Sequence, residues 1–98
     1  MSLIKLNNHV LEIEGILCSG NVSEMQNQLE FALTKSDYLI INLNPIQMLD
    51  IAGAFMLYIL TKNAQENNKE IIFIGMEKES IRNAFFMAGI QNRMQGAA

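Results

Sequence analysis

Two near-continuous apolar runs, Tyr38-Leu39-Ile40-Ile41-Asn42-Leu43 and Ile71-Ile72-Phe73-Ile74, constrain the fold more than any other feature of the chain. A strand with one wet face alternates apolar and polar residues, whereas a strand buried on both faces is apolar throughout. The runs therefore predict inner strands of a parallel sheet, covered on both faces. Parallel neighbours need a crossover of a dozen or more residues, usually a helix. The segment between the runs supplies one, from about Gly53 to Asn67.

The rest of the chain fits around this unit. Leu3, Ile4 and Leu6 mark a short strand, Asn7-Asn8-His9 carries turn chemistry, and Val10 to Ile16 reads as the second arm of a hairpin. In that arm Glu12 and Glu14 alternate with Leu11 and Ile13, which predicts one wet and one buried face. A loop, Cys18-Ser19-Gly20-Asn21, leads to a helix over about Val22 to Lys35, with Asn21 as N-cap and Val22, Met25, Leu29, Ala32 and Leu33 as its buried face. Phe31 falls on the opposite side of that helix. A third helix, Glu77 to Ala88, turns Ile81, Ala84, Phe85 and Ala88 inward and ends at Gly89. Asn44-Pro45-Ile46 reads as a loop. The predicted fold class is α/β: a single-domain mixed β-sheet flanked by helices, in the order β-β-α-β-α-β-α, with right-handed crossovers. The 98 residues suit one domain, taken as 1–94, with 95–98 a frayed or artificial tail.

Charge and residue usage narrow the function. A net charge of −3, with seven Lys and Arg spread along the chain, makes no basic stripe and argues against nucleic acid. The longest apolar run, Ile51 to Leu60, is half the roughly 20 residues of a membrane span. The N-terminus lacks the basic and apolar regions of a secretion signal, so the expectation is a cytoplasmic protein. One cysteine, Cys18, makes neither an internal disulfide nor a cysteine-based metal site. His9 has no Ser, Cys or acid close in sequence to form a nucleophile–base pair, and reads as an exposed turn residue. Cys18 lies before a helix, where a thiolate is stabilised, but no helper charge stands near it, so a small buried or half-buried residue is the simpler reading. Glu77, Lys78 and Glu79 open the third helix and complement its dipole. Gly15 and Gly20 lack the Gly-Lys-Ser/Thr ending of a phosphate loop. These features predict no enzyme, no cofactor and no metal.

The informative segment is Asp50-Ile51-Ala52-Gly53-Ala54, where the Asn44-Pro45-Ile46 loop passes into the central helix. Capping of the free N–H groups of the first turn accounts for Asp50 by itself. The helix that follows is polar at its far end, where Lys62, Gln65 and Glu66 define a solvent stripe. Projected back toward the start, that stripe lands on Phe55, Tyr58 and Ile59, while Leu57, Leu60 and Ala64 face the core. A helix apolar nearly all round at one end is deeply buried or covered by a partner. Single surface hydrophobes are also normal, and Phe31 and Phe86 project in the same way.

The junction and its surroundings resemble the STAS domain family, named for sulfate transporters and anti-sigma factor antagonists, and most of all the stand-alone bacterial antagonists. Gly15-Ile16-Leu17-Cys18 stands where the family has a Gly-x-Leu-Asp turn. Leu39-Ile40-Ile41-Asn42-Leu43 matches the strand leading to the signature loop, and Asp50-Ile51-Ala52-Gly53 replaces Asp-Ser-Ser/Thr-Gly. Phe86-Met87-Ala88-Gly89-Ile90 resembles the closing Met-Ser-Gly-Leu turn. In phosphorylation-switched members the second hydroxyl residue of the signature accepts the phosphate; here that position is Ala52, which has no oxygen. The resemblance thus implies a non-enzymatic interaction module of bacterial transcription control, non-phosphorylatable at this site and permanently competent to bind. Its partner would be an anti-sigma factor or kinase-like switch protein, docking on Asp50, Ile51, Ala52, Gly53, Phe55 and Tyr58 with Cys18 and Ser19 beside them. The alternative implied by the same family is a cytoplasmic subunit bound to the ATPase of a membrane lipid transporter. A third reading, an anion held at the helix start near Gly53, lacks an assisting Arg or Lys. The apolar excess is compatible with a homodimer.

Overall fold

Along the central strands every second side chain is buried, and that alternation sets the architecture. The structure is a computed structural model that describes residues 2–7 and 10–90, with side chains from Val10 onward. In chain order the elements are β1 (Ser2–Asn7), β2 (Val10–Leu17), α1 (Val22–Leu33), β3 (Tyr38–Asn42), β4 (Ile46–Leu49), α2 (Ile51–Glu66), β5 (Glu70–Ile74) and α3 (Glu79–Met87). β1 pairs antiparallel with β2, from Ser2 opposite Gly15 to Asn7 opposite Val10. The other pairings are parallel: β2 with β3, β2 with β4, and β3 with β5. The result is the expected single-domain mixed α/β sheet with three helices. Residues 8 and 9, with the His9 turn, and the 95–98 tail lie outside the described residues.

One strand is additional to the sequence reading. Ile46–Leu49, which begins at the last residue of the Asn44-Pro45-Ile46 loop reading and has no predicted element beyond it, forms β4. β1 takes one edge of β2, so β3 and β4 share the other: Glu12 pairs with Asn42, then Gly15 with Ile46 and Leu17 with Leu49. The strand escapes a periodicity search because Ile46 and Leu49 are buried while Gln47 and Met48 both face out. Between β3 and β4 the backbone bends at Asn44 and Pro45, where the Lys78 ammonium donates to the Asn44 and Ile46 carbonyls at 2.7 and 2.9 Å. Gly75 packs against this bend with φ +97°, and a Cβ there would lie 2.7 Å from Asn44 Oδ1, so only glycine fits.

The expectation of strands covered on both faces is overturned. Leu39, Ile41, Ile71 and Phe73 are buried, but Ile40, Ile72 and Ile74 are half-buried and Tyr38 is 43% exposed. The strand order β1-β2-β3-β5 supplies the reason. Both crossovers step in the same direction across the sheet, and two right-handed crossovers in one direction place their helices on one face. α2 accordingly packs against both α1 and α3, making one helical layer. Among the described residues the core between the layers is wholly apolar.

Helix boundaries differ in detail. α2 starts at Ile51 rather than Gly53, α1 ends at Leu33, and α3 starts at Glu79. Asn21 precedes α1 but its side chain makes no cap bond. α3 closes as expected, with Gly89 at φ +76° and the N–H groups of Gly89 and Ile90 donating to the carbonyls of Phe86 and Phe85. At the other end of the molecule Lys69 donates to the carbonyls of Leu33 and Ser36, tying the α1 C-terminus to the α2–β5 connection.

Candidate functional site

The site forms where two parallel strands end side by side. Because Leu17 of β2 pairs with Leu49 of β4, the loops that follow them leave the sheet together. The first loop, residues 18–21, is braced by Asn21: its side-chain amide donates to the Ile16 carbonyl at 2.7 Å, and its Oδ1 accepts from the Cys18 N–H at 2.9 Å. This bracing consumes the side chain expected to cap α1. The second junction is the start of α2, where the Asp50 N–H donates to the Leu17 carbonyl at 3.2 Å.

Asp50 joins the two. One carboxylate oxygen accepts from the Gly53 N–H at 2.9 Å, which is the expected N-cap; the other accepts from the Ser19 N–H at 3.2 Å. Two backbone donors and the positive end of α2 surround a single carboxylate. Gly53 then lets the first turn of α2 sit directly on β2 and β4. A Cβ at this position would lie 2.8 Å from the Leu17 carbonyl oxygen and 2.8 Å from Leu49 Cδ1. The glycine is therefore required by close approach rather than by its backbone angles.

Above this clamp lies an apolar stripe. Ile51, Phe55 and Tyr58 are spaced at i, i+4 and i+7 and share one side of α2. Ile51 is 49% and Phe55 47% exposed, and Met48 on β4 is 56% exposed. The Phe55 and Tyr58 rings meet at 5.9 Å between centroids in a tilted arrangement. Tyr58 and Ile59 depart from the sequence reading: both are half-buried, and Tyr58 packs partly against the core. Ala52 is half-buried between Ile51 and Gly53, Cys18 is half-buried, and Ser19 is exposed. The structure thus brings Asp50, Ser19 and Gly53 into one bonded unit. Sequence reading missed the bond between Asp50 and the Ser19 N–H, which depends on the pairing of β4 with β2.

Among the described residues the other exposed apolar or aromatic side chains are Phe31 on α1, whose ring carries Lys35 Nζ at 4.8 Å from its centroid, Tyr38 on β3, and Phe86 and Met87 on α3. A cavity of about 450 Å³ opens between the C-terminal ends of α1 and α2, lined by Leu33, Leu60, Ala64 and Lys69 among others. It lies at the far end of α2 from Asp50. Among the described residues no cluster of three His, Cys, Asp or Glu is arranged to hold a metal, and no helix is long and apolar enough to cross a membrane. The arrangement at Asp50 is one that presents a fixed backbone and an apolar surface.

A STAS domain family model matches residues 2–96 of the chain. Among solved structures, the fold is similar to the anti-sigma factor antagonist SpoIIAA in its unphosphorylated form, with a TM-score of 0.68 and 14% sequence identity over 100% of this chain and 89% of that one. It is also similar to an anti-sigma factor antagonist from Mycobacterium paratuberculosis, with a TM-score of 0.70 and 13% identity over 96% of this chain and 81% of that one. No curated protein matches the sequence. At these identities the structural likeness speaks for the fold alone, while the family model spans the hairpin, the Asp50 junction and the closing turn. The chain belongs to the STAS domain family.

Proposed function

We propose that the chain is a non-enzymatic interaction module of the anti-sigma-factor-antagonist type that docks a protein partner through the start of α2. The observation that carries this reading is the exposed apolar pair Ile51 and Phe55 standing on the Asp50 clamp. Apolar side chains on a rigid element, bordered by polar loops, are the usual makings of an interface centre. Asp50, Ala52, Gly53, Cys18 and Ser19 form the platform, and Ile51, Phe55 and Tyr58 form the contact surface. The similarity to two anti-sigma factor antagonists supports a protein partner of the anti-sigma or kinase-like class.

Ala52 sets the regulation in this reading. With a hydroxyl at this position, phosphorylation would add about −1.5 to −2 charges beside Asp50 and repel a docked surface. Alanine keeps the surface in the uncharged state, so binding is permanent rather than switched. The test is a parallel capture from native bacterial extract with wild type and Ala52→Glu, followed by affinity measurement on the captured partner. Capture of an anti-sigma or kinase-like protein by wild type, with affinity falling at least about tenfold, 1.4 kcal/mol, in Ala52→Glu, is the expected result. Unchanged affinity would refute the assignment of the surface. Capture of a transporter ATPase would replace this reading with the transport one, which the missing phosphoacceptor also suits.

A further inference from the structure

Strand β5 ends the sheet with an open edge, and we propose that this edge pairs with the same edge of a second copy of the chain, antiparallel and centred on Ile72. Among the described residues β5 has one neighbour, β3, along an unbroken register from Tyr38 opposite Glu70 to Asn42 opposite Ile74. The Glu70 N–H donates to the Asp37 carbonyl at 3.0 Å, and the Ile74 carbonyl accepts from the Leu43 N–H at 2.7 Å. The even-numbered residues of β5 therefore direct their backbone groups to β3. Those groups alternate in direction along a strand, so the N–H and C=O of Ile71 and Phe73 point the other way, to the free edge. A row of donors and acceptors of this kind is matched by an added strand. Natural edges are guarded by proline, bulges or lysine. β5, Glu70-Ile71-Ile72-Phe73-Ile74, has none of these, and its one charge stands at its first residue.

The strand's own sequence identifies the occupant. A two-fold axis pairs a strand with itself in antiparallel fashion. With the axis at Ile72, Ile71 lies opposite Phe73 of the second copy, and each such pair exchanges both backbone bonds. The two Ile72 residues then meet as a closely spaced, non-bonded pair. Glu70 faces Ile74 of the second copy, which holds the two Glu70 carboxylates at opposite ends of the ribbon. An axis at Ile71 would instead set Lys69 opposite Phe73, and one at Phe73 would set Gly75 opposite Ile71. Centring on Ile72 is thus the register that opposes apolar residues at both bonded positions. The competing occupant is the chain's own segment 91–98, which carries Asn, two Ala and Gly and one large apolar residue, Met94, against the four of β5. That composition makes it the weaker strand former.

The test follows the full chain at rising concentration by sedimentation equilibrium and amide hydrogen exchange. A reversible dimer is expected, with exchange at the Ile71 and Phe73 amides slowing as it forms. Ile72→Lys sets two ammonium groups against each other at the axis and should weaken association about fivefold or more, with urea unfolding confirming a folded chain. Cross-linking reads the register directly. In a Cys18→Ser background treated with diamide, Ile72→Cys should give a disulfide-linked dimer, because closely spaced antiparallel pairs bring Cα atoms to about 4.5 Å. Glu70→Cys, offset from its counterpart by roughly 13 Å along the strands, should not. A chain still monomeric at millimolar concentration, or cross-linking through Glu70→Cys rather than Ile72→Cys, would overturn the proposal. So would association that Ile51→Ser abolishes and Ile72→Lys does not, which moves the interface to the α2 stripe. Slow exchange at Ile71 and Phe73 already in the monomer would do the same, by making residues 91–98 the occupant.

Discussion

Gly53→Ala decides whether the close contact at the start of α2 matters as described. In a helix, alanine is favoured over glycine by about 1 kcal/mol, so propensity alone predicts a more stable protein. The geometry predicts the opposite. The added methyl would sit 2.8 Å from a backbone oxygen, that of Leu17, and 2.8 Å from Leu49 Cδ1, with Leu17 Cγ at 3.0 Å. The Leu17 carbonyl cannot retreat freely, because it accepts from the Asp50 N–H and belongs to β2 where that strand pairs with β4. Overpacking of this kind costs about 1–3 kcal/mol, and lifting α2 also strains the Asp50 bonds, each worth about 1 kcal/mol. After the propensity gain, the net loss is about 2 kcal/mol, or roughly 8–16 °C in Tm for a domain of this size. Urea unfolding followed by far-ultraviolet circular dichroism measures it, with Gly20→Ala as control. A Cβ at Gly20 meets only Cys18 Sγ at 3.7 Å, and that variant should stay within about 0.5 kcal/mol of wild type. A Gly53→Ala protein as stable as wild type, or more so, would refute the close-approach argument and free Gly53 of any packing role.

Other perturbations test separate parts of the fold. Asp50→Ala should cost about 1 kcal/mol as a lost cap and speed hydrogen exchange at both the Ser19 and Gly53 amides; acceleration at Gly53 alone would break the proposed link between the loops. Lys69→Met removes the donor to the Leu33 and Ser36 carbonyls, and should lower stability by about 1 kcal/mol with faster exchange confined to the end of α1. At Gly89 a Cβ would meet nothing within 4 Å, so Gly89→Ala should cost only the roughly 1 kcal/mol of left-handed strain, with Gly89→Asn milder in the same unfolding assay. Phe55→Ser should cost only about 1 kcal/mol of stability, since half of the ring is already exposed, while abolishing capture of the partner named above.

The layers of the fold were legible in the sequence where a single element declares itself by periodicity. Leu11 and Ile13 alternating with Glu12 and Glu14, the Met25-Leu29-Leu33 spacing, and Gly89 after Phe85 all sit where their patterns place them. What failed was the step from strand composition to strand environment. Ile40, Ile72 and Ile74 are as apolar as Leu39 and Ile41, but which face a helix covers depends on the direction of the crossovers, and that is a property of strand order rather than of any one strand. Asn21 failed for a local reason. An asparagine before a helix can cap it or brace the preceding loop, and here the Ile16 carbonyl and the Cys18 N–H compete successfully for its amide.

The candidate site divides in the same way. Asp50 was legible as a cap, and Ser19 as a neighbour of the signature through family resemblance, but nothing in sequence separates their contact from any other pair 31 residues apart. The contact exists because β4 runs parallel to β2 and brings Leu49 beside Leu17. A four-residue element with no periodic signal therefore closes the polar clamp on which the apolar surface of Ile51 and Phe55 stands. That coupling is why the start of α2, rather than Phe31 or Phe86, is the place to expect a partner. Phe31, and Phe86 with its neighbour Met87, project from helices without such a clamp, whereas Ile51 and Phe55 stand on backbone held by Asp50, Gly53 and Leu17. Apolar surface on a fixed backbone costs less ordering entropy when it is covered, and that favours binding there.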